Sequence, residues 1–272
     1  MDLRTFDKFR SLIYDRSGIS LADNKETLVS ARLGKRMRTL GISELNHYYQ
    51  YVIDHEQEGE LTHLLNAITT NVTSFFREID HFEFLTQAVA EWLDAGRQRL
   101  RLWSAACSTG EEPYSMALIL REALGDAPVD VKILATDISL DVLAQGVQGR
   151  YVADRLKPVN AMLKGRYFTK DKIAEETYFE VGPALKDLVV FKQLNLAAPP
   201  FPMQGPLDIV FCRNVMIYFD RHVRTCLLRE IYRLLRPGGV LIVGHAESLA
   251  GIATSFATVK ATIYTKTANG GN

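Results

Sequence analysis

Acidic side chains stand at two places in the chain where a ligand with hydroxyl or cationic groups could be held. The first is the run Ser104-Ala105-Ala106-Cys107-Ser108-Thr109-Gly110-Glu111-Glu112-Pro113-Tyr114, which closes a short apolar segment. Small residues there let a ligand approach the backbone, Gly110 permits a tight turn, and Pro113 suits a first helical turn. The run lacks GxxxxGK[ST], which excludes a nucleoside-triphosphate P-loop, and it lacks a complete GxGxxG. Glu111 and Glu112 suit a cationic or hydroxyl-bearing ligand better than a pyrophosphate, and they serve equally to complement a helix N-terminus. The second place is Ala135-Thr136-Asp137-Ile138. Asp137 could accept hydrogen bonds from both ribose hydroxyls of an adenosine, or it could cap the next helix. Glu112 and Asp137 on adjacent strand ends favour the nucleoside.

Two further stretches carry chemistry-bearing types. Phe211-Cys212-Arg213-Asn214-Val215-Met216-Ile217-Tyr218-Phe219 would bring Arg213 and Asn214 to the same rim, with Tyr218 shortly after. Alone, a tyrosine in this apolar setting fits a core as well as a catalytic place. Thr69-Thr70-Asn71-Val72-Thr73-Ser74-Phe75-Phe76-Arg77-Glu78 combines hydroxyls, an amide, an aromatic pair and an arginine, which is unusual for a connector.

The elements that must position these residues follow from hydrophobic period. Residues 1–70 carry helical spacing throughout. A first helix ends at Gly18, and a second places Val29, Leu33, Met37 and Leu40 on one stripe before Gly41. Ser43 suits the N-cap of a third, and a fourth runs from about Gly59 to Thr70. From residue 97, strands alternate with helices: Leu100–Ala106, Val131–Thr136, Val189–Leu194, Ile209–Cys212 and Val240–Val243 are the strands. Helix Arg221–Leu235 should end at Pro237-Gly238-Gly239, and a closing pair with Phe256–Tyr264 as its second member could form an antiparallel edge. The pattern predicts an α/β chain. A helical bundle (1–70) and a linker (71–96) precede a doubly wound, Rossmann-like domain (97–272) with a small β-subdomain inserted at about 150–188. In such a sheet, ligands bind beyond the carboxyl ends of the strands where strand order reverses, which is where the acids fall. The tail 268–272 is expected to be disordered.

Composition bounds the partners. The 272 residues include 32 Lys+Arg and 32 Asp+Glu, so no global basic excess points to nucleic acid. The three cysteines, Cys107, Cys212 and Cys226, lack metal-ligand spacing and do not form an even disulfide framework, so no metal is expected. No leader or membrane-spanning run is evident, and the expectation is a cytoplasmic protein without membrane insertion.

Together the segments Asn71–Glu78, Trp103–Ser115, Thr136-Asp137 and Ile209–Phe219 resemble the CheR family of chemotaxis receptor methyltransferases. Gly244-His245-Ala246-Glu247-Ser248 adds to the match, departing from the family's Gly-His-Ser-Glu at Ala246. The resemblance implies a class I methyltransferase that uses S-adenosylmethionine to esterify glutamates on the cytoplasmic methylation helices of chemoreceptors. It implies cofactor contacts at Asn71, Thr73, Arg77, Glu112, Asp137, Asn195, Leu196, Cys212 and Arg213, with Asn214 bordering them. Tyr218 matches the family tyrosine near the transferred methyl, and Arg77 would steady a carboxylate, the cofactor's or the substrate's.

Basic residues off the apolar stripe of the second helix, Arg32, Lys35 and Arg38 with Arg36 flanking, are the expected face for an acidic receptor region. Some family members dock a receptor's C-terminal peptide as an added strand on the inserted subdomain, against glycine turns. Here Thr169–Tyr178 contains no glycine and several charges, which predicts independence of such a tether. The competing readings are a class I methyltransferase acting on RNA or another protein, and a non-catalytic S-adenosylmethionine-binding module.

Overall fold

The computed structural model, which describes residues 3–56, 59–69, 71–125 and 127–267, begins with four helices. These are α1 (Leu3–Ser17), α2 (Glu26–Leu40), α3 (Leu45–Asp54) and α4 (Glu60–Ile68). Their apolar stripes meet in a core containing Phe9, Ile13, Leu33, Tyr48, Val52 and Leu64. Gly18 and Gly41 follow α1 and α2 in left-handed conformation, as their positions suggest. The start of α3 differs from expectation: Glu44 rather than Ser43 occupies the N-cap, extended and without a side-chain cap bond. Thr70 and the tail 268–272 lie outside the described residues.

The stretch 71–96, read as a linker, contains a full helix, α5 (Ile79–Asp94). Phe82, Leu85, Ala88 and Val89 are among its buried residues, and Phe82, Leu85 and Val89 belong to the same apolar cluster as Leu118 and Leu120 of α6 (Glu111–Leu124).

The α/β region is built on β1 (Arg99–Ala105), β2 (Asp130–Asp137), β6 (Val189–Gln193), β7 (Leu207–Cys212) and β8 (Leu235–Val243), all parallel. Antiparallel β9 (Phe256–Lys260) and β10 (Ile263–Lys266) complete a seven-stranded sheet in the order β6-β2-β1-β7-β8-β10-β9. Phe256–Tyr264 is therefore two strands, not one; the chain reverses at Thr262, whose φ is +64°. Strand β8 also begins before the Pro237-Gly238-Gly239 breaker, with a register shift against β7. The α10 helix (Arg221–Leu234) joins β7 to β8. Between β2 and β6 lie α7 (Leu140–Gln148) and an insertion. The insertion has a three-stranded antiparallel sheet of β3 (Arg150–Val152), β5 (Glu176–Val181) and β4 (Phe168–Ile173), with short helices α8 (Ala161–Tyr167) and α9 (Pro183–Lys186). Strand order reverses between β1 and β7, which sets the crevice over their carboxyl ends.

The helical domain closes over that crevice. Ile19 makes an antiparallel bridge with Phe219, and the Ser20 N–H donates to the Tyr218 carbonyl at 2.8 Å. Tyr14 donates to Asp220 at 2.7 Å, and Asn195 donates to the Arg16 carbonyl at 2.9 Å. Gly18 enables this approach: its φ is +69°, and a Cβ there would lie 2.3 Å from the Ala197 Cβ. Gly18→Ala should lower stability through a left-handed alanine, about 1–2 kcal/mol, and through overpacking, about 1–3 kcal/mol. Urea denaturation measures the sum. An unchanged midpoint would mean that the seam between the domains yields without cost.

Candidate active site

The crevice holds an open cleft, with about 900 Å³ of empty space when the solvent at its mouth is included. Its walls come from three sources: Ser17 and Ile19 at the end of α1, the connector 71–77, and the strand-end loops after β1, β2, β6 and β7. Nearly every residue implied by the resemblance reaches it: Asn71, Thr73, Arg77, Glu112, Asp137, Asn195, Leu196, Arg213, Asn214 and Tyr218 all line the cleft. Cys212 does not. It is fully buried as the last residue of β7, paired with Ala105, so its side chain belongs to the sheet interior.

Asp137 is 8% exposed, its Oδ2 accepting from the Ser108 N–H at 2.9 Å and its Oδ1 from the Ser139 N–H at 3.0 Å. Helix α7 is capped instead by the Ser139 hydroxyl, which removes the capping alternative for Asp137. Burial pushes the Asp137 carboxyl up, against the pull of the two N–H groups. Ile138, Leu194 and Leu196 supply an apolar wall next to it.

A charge cluster forms the floor. Arg213, whose side chain is 2% exposed, donates to Glu78 at 2.8 Å and to Glu112 at 2.9 Å, and also to the Arg77 carbonyl. Its guanidinium lies 5.5 Å from the Phe82 ring centre and 5.7 Å from that of Phe211. Glu112 also accepts from the Ser104 hydroxyl at 2.7 Å, and burial pushes its carboxyl up despite Arg213. Burial acts on Glu78 in the same direction, but there Arg213 and Asn214 outweigh it and hold the carboxyl below its usual range.

Arg213 is thus neutralised from two sides. Arg77, by contrast, donates to the Val72 carbonyl at 2.8 Å and makes no ion pair among the described residues. Arg77 and Arg213 are the two cations among the lining residues, so Arg77 carries the cleft's uncompensated positive charge. The Tyr218 side chain is half-buried and borders the same space. Glu78, His81 and His245 each bring one ligand-type atom within 4.8 Å of the others. Glu78 is engaged by Arg213 and Asn214, while the Nε2 atoms of His81 and His245 meet the Thr262 hydroxyl and the Asp80 carboxylate.

Sequence reasoning missed Ser17, Ile19 and Ser108 as lining residues, and Glu78 as the partner of Arg213. Ser17 and Ile19 carry no chemical signal; only the docking of the helical domain brings them in. The basic face on α2 also needs correction. Arg36 donates to the 4%-exposed Glu60 at 3.0 and 2.5 Å, and Tyr48 joins the same carboxylate at 2.9 Å. A buried acid requires such pairing, so Arg36 is a structural residue. Arg32 turns to the Ile68 carbonyl, and of the four basic residues Lys35 and Arg38 are the exposed pair.

Comparison with known proteins agrees with this geometry. Residues 71–265 match a family model described as CheR methyltransferase, SAM binding domain, and residues 4–69 match CheR methyltransferase, all-alpha domain. A chemotaxis protein methyltransferase of Escherichia coli is 40% identical over 95% of this chain and 89% of its own. Chemotaxis protein methyltransferase 2 of Pseudomonas aeruginosa is 42% identical over 95% of this chain and 91% of its own.

Proposed function

The chain belongs to the CheR methyltransferase family, and on that premise we propose that it methylates glutamate side chains of chemotaxis receptors in the cytoplasm, forming methyl esters. The observation that carries the reading is the cleft itself, where Asp137, an uncompensated Arg77 and Tyr218 face one space.

The residues present fit S-adenosylmethionine. A buried strand-end carboxylate at Asp137 suits ribose hydroxyls, and the apolar wall of Ile138, Leu194 and Leu196 suits a base. Arg77 suits the cofactor's carboxylate in preference to the substrate's. When bound, the cofactor supplies an electrophilic methyl group. A substrate glutamate with a pKa near 4.3 is already ionised at neutral pH, so no residue need act as a strong base. The Tyr218 hydroxyl orients the incoming carboxylate. Helical domain and strand ends together exclude water and align the reactants, a contribution on the order of 7–11 kcal/mol. Glu112 and Arg213 act beneath this layer by holding the floor rigid, while Asn71, Thr73, Asn195 and Asn214 shape the rim.

Docking falls to Lys35 and Arg38, which face solvent on α2 and suit an acidic helical region. The inserted sheet leaves β4 at its edge, with Thr169–Ile173 exposed and charged at Lys170, Asp171 and Lys172. Charged edges discourage strand addition, which supports recognition without a tether peptide.

One labelling experiment tests these points. Radiolabelled cofactor is incubated with receptor cytoplasmic fragments, either intact or lacking the C-terminal peptide. Base-labile label on the receptor is expected, at equal rates for both fragments; base-stable label, or none, would overturn the ester reading. A tenfold slowing on truncation would overturn tether independence. Lys35→Glu with Arg38→Glu should raise the receptor KM severalfold, and more at low salt, where surface charge is least screened. An unchanged KM would return that face to solvent.

A further inference from the structure

Glu247 is 6% exposed in the loop that follows β8. Its Oε2 accepts from the Asn214 and Gly244 N–H groups, each at 2.7 Å. Its Oε1 accepts from the Val215 N–H at 3.0 Å and the Ile217 N–H at 3.3 Å. Three of the four donors belong to one short turn, the backbone that leads from β7 to Tyr218. Within that turn the Tyr218 and Phe219 N–H groups donate to the Val215 and Met216 carbonyls, each at 3.1 Å, and the Asn214 end relies on partners outside it. Asn214 sits at φ +57°, and only a single 3₁₀ turn, Met216–Tyr218, follows. A non-glycine residue in that region persists when its surroundings over-determine it. A carboxylate accepting four N–H bonds provides such a surrounding, because charge-assisted bonds are the strong ones.

The packing permits no slack. A Cβ on Gly244 would lie 2.4 Å from the Asn214 Nδ2 and 2.9 Å from the Glu247 Oε2, so the strand end lies directly against the turn. From the other side, the Ser20 N–H holds the Tyr218 carbonyl at 2.8 Å. The segment carrying Tyr218 is gripped between the loop after β8 and the helical domain.

We infer that Glu247 is a positioning residue for methyl transfer, fixing the Asn214–Ile217 backbone and thereby aiming the Tyr218 hydroxyl at the reacting carboxylate. This rests on the proposed role of Tyr218. A displacement of about 1 Å at a reacting group can cost on the order of 10²-fold in rate, so a residue that never touches substrate can govern turnover.

Glu247→Gln keeps the size but sets an amide NH₂ against two N–H donors. The expected result is a kcat lowered about tenfold, with affinity for S-adenosylhomocysteine within about twofold of wild type by calorimetry. The same substitution added to Tyr218→Phe should change kcat less than about twofold, because no hydroxyl remains to be aimed. A merely structural role predicts the opposite: multiplied effects and weakened cofactor binding. Wild-type kcat in Glu247→Gln, or full multiplication in the double variant, overturns the inference while leaving Tyr218 in place. Wild-type kcat in Tyr218→Phe removes the tyrosine and this inference together. Should Glu247→Gln not fold, Glu247→Asp, which keeps the charge and retracts it by one methylene, is judged by the same double-variant comparison.

Discussion

Replacing Arg213 with methionine should cost about 3–5 kcal/mol of folding stability, the range for leaving a buried ionic partner uncompensated. Methionine keeps much of the arginine's apolar length against Phe82 and Phe211, so the loss comes mainly from charge. Glu78 and Glu112 would then face each other without the guanidinium between them. The sign of the pH dependence follows. In the native protein Glu78 is held below its usual range, so it contributes stability above the unfolded carboxyl pKa that is lost as pH falls through the folded one. Without Arg213, burial and mutual repulsion push both carboxyls up, and the variant's stability falls as pH rises through those raised values. The difference from wild type should therefore be largest near pH 7–8 and shrink toward pH 5. Urea denaturation across that range is the measurement. A loss below about 1 kcal/mol, or one independent of pH, would show that the cluster is not an electrostatic unit.

The strand-end acids were legible because a parallel sheet puts its ligand in one place. Once β1 and β2 are recognised from their apolar runs, Glu112 and Asp137 have few other places to be. Their division of labour was not legible. Glu112 meets Arg213 across 101 positions of chain and Glu78 meets it across 135, and no local period encodes such a pairing. The same holds for Arg36, which spacing alone puts beside the exposed face of α2 and Glu60 draws inward. Glu247 stood within a recognised motif, yet three of its four backbone donors lie 30–33 residues away and come together only once the turn after β7 is formed.

Among the elements, helix α5 is the instructive omission. Phe82, Leu85, Ala88 and Val89 have helical spacing, but the preceding motif and the change of period near residue 97 made the whole stretch look like a connector. The split of β9 from β10 is different. Nothing in Phe256–Tyr264 breaks a strand by composition, and the turn rests on Thr262 accepting a left-handed φ of +64°. Its hydroxyl donates to the neighbouring Ala261 carbonyl at 2.6 Å and meets His81 at 2.8 Å, the second a tertiary contact that propensity does not report.

Asp137→Ala should weaken binding of S-adenosylhomocysteine by about 1.5–3 kcal/mol, the range for hydrogen bonds to a charged group. The carboxylate is already aimed: the Ser108 and Ser139 N–H groups each bind one oxygen and leave lone pairs on both for ribose hydroxyls. Burial has raised this carboxyl in the free enzyme, and hydroxyl donors favour its charged form, so binding should pull the pKa back down. Two consequences follow for wild type: affinity falls as pH drops through the raised free-enzyme value, and binding releases a proton near that pH. Calorimetry in buffers of different ionisation enthalpy reads both. In Asp137→Ala the affinity should be weaker, and this carboxyl's share of the proton release should vanish. Affinity within about twofold of wild type in a folded variant would remove Asp137 from the site. Weakened affinity with unchanged proton release would instead move the titrating group to Glu112, the other cleft carboxyl that burial pushes up.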